Sequence, residues 1–304
     1  TSVPAAPVIL TAGAFNSVRP VITGSGVPGL SVALLDGAEL IATVIVAGDG
    51  AWQATLGRDL TVGVHRLTAT VTNAAGTRSA VSSEAGLTID LTAPPVPVIT
   101  TSGVLAGTNA VLRGRAEAES TVSVFDGTAL LGSAKAGTTG EWAVQPAAAM
   151  AAGVRLITAT ARDAAGNVSA ATAPVSLLID PYAPDAPKIA TKGSFNTTRP
   201  VITGKAEALA TLQVYDGATL LGSVVVSAAG DWTFTPVNAL TDGSHRIAAL
   251  AIDAAGNASS FSPASVLMID ATAPLAPILD AEVVAQSRPL LRGTAEAGST
   301  VKLS

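Results

Sequence analysis

The 304 residues include no cysteine and two histidines, and 22 acidic against 17 basic side chains leave a net charge of −5. Without thiols there is no disulfide, thiolate nucleophile or thiolate metal site, and a mildly acidic chain suits neither nucleic acid nor an anionic membrane as a partner. Apolar residues make up 48% of the chain, yet no run of about 20 lacks polar side chains, so no membrane insertion is expected in this segment.

The opening "TSVPAAPVIL" has no basic stretch followed by an apolar one, so no signal peptide is expected there. Past it, the predicted elements are short strands. Asp36-Gly37 marks a tight hairpin turn, as Asp-Gly between alternating apolar runs usually does. Trp52, Ala54 and Leu56 share one face of a strand, because side chains alternate with a period of two. "RLTATVTNAAG" (66–76) is a strand running into a glycine turn, and "LTIDLTAPPVP" (87–97) ends a strand on Asp90 before a proline-rich connector.

The same order then returns. Asp126-Gly127 and Asp216-Gly217 follow Asp36-Gly37, Trp142 and Trp232 follow Trp52, and Asp180 and Asp270 follow Asp90, always 90 residues apart. Self-similarity at a fixed period sets the architecture before any other signal. The division is repeat 1 over 1–90, repeat 2 over 91–180, repeat 3 over 181–270 and part of a fourth over 271–304. About seven short strands per repeat, rich in Thr, Val, Ile and Ala, predict an all-β fold of tandem immunoglobulin-like β-sandwiches. The alanine-rich 146–153 is too short for a helix and ends in glycine. Connectors such as "TAPPVP" and "YAPDAP" are stiff spacers, so an extended rod is expected.

With standard strand order, the loop after the second strand and the loop between the last two strands lie at the N-terminal end of each sandwich. Those loops carry Glu117 with Asp163, and Glu207 with Asp253. The preceding repeat delivers Asp90 or Asp180 to the same place, while Asp270 and Glu296 begin a third set. Crowded carboxylates repel and raise one another's pKa, and a hard cation relieves this. Calcium, which takes roughly 6–8 oxygen ligands, is therefore the expected inter-domain ion at Asp90, Glu117, Asp163, Asp180, Glu207, Asp253, Asp270 and Glu296. Repeat 1 has Val27 and Asn73 in the matching loops and no Asp before its leading prolines; a joint loss of this kind fits ligands of one ion. The competing reading is that Asp before Ala-Ala-Gly-Asn is a turn former and Glu a solvated loop residue.

Other features read as structural. Asp36, Asp126 and Asp216 are turn residues, the three Trp are core, and His65 and His245, matched by Arg155, are solvated strand residues. No nucleophile and base can be paired, and no phosphate-cradling glycine motif occurs, so no enzyme is expected. A glycoside hydrolase would need sugar-stacking aromatics, and only Tyr182, Phe234 and Phe261 lack aromatic counterparts in the other copies.

The "DAAGN" turn, the Asp-Gly hairpin and the "D.TAP" connector resemble the bacterial immunoglobulin-like domains of giant biofilm-associated and type I-secreted surface adhesins. The resemblance implies a secreted, extracellular stalk at the bacterial cell surface, stiffened by calcium between repeats and supporting cell adhesion and biofilm formation. Its partners are then the neighbouring repeats, with a host or abiotic surface or the biofilm matrix engaged through other domains. The alternatives are a repeat that binds glycan or protein itself, or a spacer of a large secreted enzyme.

Overall fold

A computed structural model describes residues 2–280 and 291–303, and residues 281–290 of the fourth repeat lie outside the described set. The chain divides into two compact units, Thr1–Asp180 and Pro181–Ser304. The first repeat holds eight strands: β1 (Val8–Ile9), β2 (Gly13–Phe15), β3 (Ile22–Ser25), β4 (Ser31–Asp36), β5 (Glu39–Ile45), β6 (Ala51–Ala54), β7 (Gly63–Thr72) and β8 (Ala85–Ile89). They form a three-stranded sheet, β1-β3-β6, and a five-stranded sheet, β2-β8-β7-β4-β5. The fold is all-β, a two-sheet sandwich of immunoglobulin type, and no helix occurs among the described residues. None is therefore long and apolar enough to cross a membrane.

One strand more than expected arises because the leading segment changes sheets. β1 pairs antiparallel with β3, whereas β2 pairs parallel with the last strand, β8. Gly13 begins β2 with a φ of 106°, a conformation that costs a residue with a Cβ far more than it costs glycine.

Alternation explains which side chains meet. Along β7, His65, Leu67, Ala69 and Val71 point inward while Val64 and Arg66 point out. Leu67, Ala69 and Val71 join Ile22, Leu34, Leu87 and Ile89 in one core, with Trp52 between the sheets. The indole lies flat over β3: a Cβ on Gly24 would come within 2.1 Å of the ring and 2.2 Å of the Val8 carbonyl. Gly114 and Gly204 meet Trp142 and Trp232 in the same way.

The eight strands and two sheets recur in the second repeat, from Val98–Ile99 to Val175–Ile179, and inside the second unit from Lys188–Ile189 to Ser265–Ile269. Each has its own core, around Trp142 and around Trp232. In the fourth, Ile278–Leu279 pairs with Gly293–Thr294.

Candidate functional site

At the N-terminal end of the second repeat, the turn after its seventh strand (Gly153–Arg162) is organised by Asp163. Asp163 Oδ1 accepts hydrogen bonds from the backbone N–H of Gly166 (2.7 Å) and of Asn167 (2.8 Å). Asp163 Oδ2 accepts one from the Asn167 carboxamide at 2.8 Å. Burial opposes its charge, but these donors outweigh that and hold the Asp163 carboxyl below the usual carboxylate range. The Asn167 carboxamide also donates to the Asp90 carbonyl at 2.8 Å, so an inward-facing turn of repeat 2 grips the start of the connector.

Asp90 is fixed on both sides. Its N–H donates to the Phe15 carbonyl at 3.0 Å, ending the β2–β8 pairing, and its Oδ1 accepts from Thr92 N–H at 2.9 Å. Glu117 stays exposed, and its carbonyl accepts from the N–H and hydroxyl of Ser120 within its own loop. The structure thus joins Asp163 to Asp90 through an asparagine and a carbonyl, without gathering the three carboxylates.

The second unit repeats the device. Asp253 Oδ1 accepts from Asn257 N–H and Oδ2 from its carboxamide, both at 2.8 Å, and that carboxamide reaches the Tyr182 carbonyl at 2.9 Å. Burial again works against the charge of Asp253, and the Asn257 and neighbouring amides lower its pKa regardless. Glu207 is exposed, with its carbonyl closing a turn onto Ala210 N–H. Asp180, at the end of the first unit, donates its N–H to the Leu105 carbonyl, and Asp270 donates to that of Phe195. Glu296 Oε2 accepts from Leu275 N–H in the connector at 3.3 Å.

Oxygen-only carboxylate donors suit a hard cation. As arranged, they do not form its shell: among the described residues no three Asp, Glu or His side chains come together as a metal group. In the first repeat, Asn73 Oδ1 takes the N–H groups of Ala75 and Thr77, so the turn forms there without a carboxylate. Sequence reasoning missed Asn167 and Asn257; the signal was the last residue of "DAAGN", which is Thr77 in the first copy.

The opposite end of each sandwich holds a second arrangement that corrects an expectation. His65 and His245 are not solvated: they are only 7% and 9% exposed. His65 Nδ1 lies 2.6 Å from Asp36 Oδ2 and Nε2 lies 2.8 Å from the Thr61 carbonyl. His245 repeats this with Asp216 (2.6 Å) and Thr241 (2.8 Å). In the second repeat Arg155 Nη1 stands 3.5 Å from Asp126 Oδ2. The aspartates of the Asp-Gly hairpins are therefore ion partners as well as turn residues. A position that keeps its positive charge while changing its residue was the available sequence signal.

The unmatched aromatics do not form a platform. Phe234 belongs to the core, Phe261 sits edge-on to Tyr215 with ring centroids 5.3 Å apart, and Tyr182 is exposed.

A family model described as a bacterial Ig-like domain matches residues 11–91 and 185–271, more than half of the chain, and one described as a bacterial Ig domain matches residues 93–176. The chain belongs to the bacterial Ig-like domain family. Among solved structures it is similar to fibronectin(III)-like modules of Clostridium thermocellum CbhA, at 16% identity over 57% of this chain and 94% of that one, with a TM-score of 0.39. It is also similar to a tetra-tandem repeat from the extending region of a large adhesion protein (21% identity, 92% and 77% covered, TM-score 0.28). A third is the BSP domain of a biofilm associated protein (12% identity, 90% and 67% covered, TM-score 0.24). No curated protein matches the chain.

Proposed function

We propose that the chain is a non-enzymatic stalk segment of a secreted bacterial surface adhesin, which holds adhesive domains at a distance from the cell and so serves attachment and biofilm formation. The observation that carries this reading is where the polar side chains are spent. The Asp163–Asn167 pair holds the Asp90 carbonyl and the Asp253–Asn257 pair holds the Tyr182 carbonyl, so in repeats 2 and 3 a turn fixes the connector that precedes it. Polar groups used in this way serve spacing and stiffness.

The test separates a stalk from a binding module. Purified chain should attach to neither abiotic surface nor biofilm matrix. Deleting it from the full-length protein should lower attachment of cells, and an equally long array of unrelated sandwiches should restore it. Attachment by the purified chain alone would favour the glycan- or protein-binding alternative.

Calcium stiffening is a further proposal about the same boundary. For Asp90, Glu117 and Asp163 to share an ion, their carboxylates must turn toward one point, and Asp163 must ligate beside or in place of the donors it now accepts. Calcium titrated to about 10⁻³ M, the range of extracellular modules, should then shift the Asn167 side-chain N–H signals as one ion binds. Signals that stay unchanged remove calcium from the account.

A further inference from the structure

The loop before the seventh strand of the third repeat (Gly243–Ile252) contains a residue without counterpart in the other copies. Asp242 stands where repeat 1 has Val62 and repeat 2 has Ala152. Its Oδ1 accepts from Ala271 N–H at 2.8 Å and its Oδ2 accepts from the Thr272 hydroxyl. Both partners belong to "DATAP", the connector that leaves repeat 3. These donors, the Thr272 hydroxyl first, keep the Asp242 carboxyl below its ordinary pKa. In this repeat, therefore, a carboxylate of the loop before the seventh strand grips the outgoing chain, where repeats 1 and 2 have the apolar Val62 and Ala152.

What holds Asp242 in place is the imidazole three residues on. The Thr241 carbonyl, next to Asp242, lies 2.8 Å from His245 Nε2, while His245 Nδ1 lies 2.6 Å from Asp216 Oδ2. Both ring nitrogens thus face acceptors. A neutral imidazole has one N–H and can serve only one of them, whereas the imidazolium serves both. Loss of the proton to water leaves the remaining N–H with the carboxylate, the stronger acceptor, and turns the Nε2 lone pair toward the Thr241 carbonyl. Two acceptors at that distance repel, so the loop loses its anchor.

The surroundings favour the charged form below neutrality. Asp216, at the end of Thr211–Asp216, is the charged group facing the ring; its Oδ1 also accepts from Arg246 N–H at 2.9 Å. The opposite strand presents Leu267 in register with His245, and Asp242 turns its carboxylate away to Ala271 and Thr272. The hydrogen bond that the ring donates to Asp216, against the pull of burial and with help from the Thr241 carbonyl, raises the histidine pKa above its ordinary value.

We propose that His245 is a proton-operated latch: protonated, it fixes the Thr241–Gly243 loop so that Asp242 clamps the outgoing connector at Ala271 and Thr272; deprotonated, it lets that clamp loosen. The first repeat has the histidine (His65) without the clamp residue, and the second has neither, carrying Arg155 and Ala152. Among the first three repeats, this pairing of histidine and clamp residue occurs at the exit of repeat 3.

The test uses the full chain and amide hydrogen exchange resolved by NMR, each rate normalised to the intrinsic rate at its pH. The His245 ring signals report its titration. From about pH 5.5 to about pH 8.5, across the histidine range, protection of the Ala271 amide should fall about five- to tenfold, one hydrogen bond's worth. The midpoint should follow His245. His245→Arg, which installs the permanent cation of repeat 2, should abolish the step. Asp242→Asn should lower Ala271 protection at every pH and leave the His245 titration in place. A flat Ala271 profile in the unaltered chain overturns the proposal, as does an equal fall in His245→Arg. Should His245→Arg fail to fold, Asp242→Ala, which removes the acceptor altogether, decides: a pH step at Ala271 that survives this change overturns the latch, and its disappearance supports it.

Discussion

The turns after the seventh strands of the first and second repeats have one backbone shape and two chemistries. In the first, Asn73 Oδ1 accepts from Ala75 and Thr77 N–H at 3.1 and 2.9 Å. In the second, Asp163 accepts from Gly166 and Asn167 N–H and also from the Asn167 carboxamide. Closing the turn needs an acceptor and no charge. What the charged version adds is orientation: Asp163 aims the Asn167 carboxamide at the Asp90 carbonyl, whereas Asn73 makes only a 3.5 Å contact to the Ser2 carbonyl. The acidic residue goes with a turn whose asparagine holds the preceding connector.

That contrast can be broken in a graded series. Asp163→Ala strands three donors and should cost repeat 2 about 2 kcal/mol, the scale of hydrogen bonds to a charged acceptor, read as lost amide protection in its core strands. Asp163→Asn should restore the turn and remove its acid response. A carboxylate with a lowered folded pKa contributes stability above its unfolded value and loses it as pH falls through the folded one. The unaltered repeat 2 should therefore weaken on acidification below about pH 3.8, and this contribution should vanish in Asp163→Asn.

Asn167→Thr, which writes the first copy's residue into the second, should cost about 1 kcal/mol and raise exchange of the 91–97 connector amides while leaving repeat 3 unchanged. At the other end, the His65 pKa is raised: burial opposes the charge, but the Thr61 carbonyl and Asp36 outweigh it. That stability is complete below the unfolded histidine value and is lost as pH rises through the folded one. Repeat 1 should lose about 0.5–1 kcal/mol on passing upward from about pH 6.5, and repeat 2, with Arg155, should stay level in the same thermal melts.

The smallest expected effect concerns the loop after the third strand of each copy. Leu209 has a φ of 67° and Glu119 one of 64°, whereas the first and fourth copies place Gly29 and Gly298 there. Leu209→Gly should stabilise repeat 3 by about 0.5 kcal/mol, the relief of left-handed strain less glycine's extra freedom when unfolded, seen as a higher urea midpoint.

The sandwich was legible because strand alternation and a fixed repeat are local and redundant: Trp52, Ala54 and Leu56 are buried together as their spacing requires. The switch of the leading segment between sheets was not, since it rests on the pairing of Gly13–Phe15 with a strand more than 70 residues away. At the candidate site, topology correctly brought Asp90 and Asp163 to one boundary, but sequence could not give the direction of a carboxylate. Asp163 faces its own turn because three N–H donors lie within reach there. The histidines were misread because one strand position says nothing of what the neighbouring hairpin offers, and Asp36 and Asp216 supply the partners.

The parallel pairing of Gly103–Leu105 with Val175–Ile179, repeated in the first and third copies, has a mechanical consequence. A pull on the two ends of a repeat, once its short first strand is stripped, drags these parallel neighbours past each other lengthwise. Their bonds then share the tension and must fail together, instead of opening one at a time as in a zipper. Resistance to stretching is set by that shear barrier, an unfolding rate, more than by the equilibrium stability of the whole sandwich.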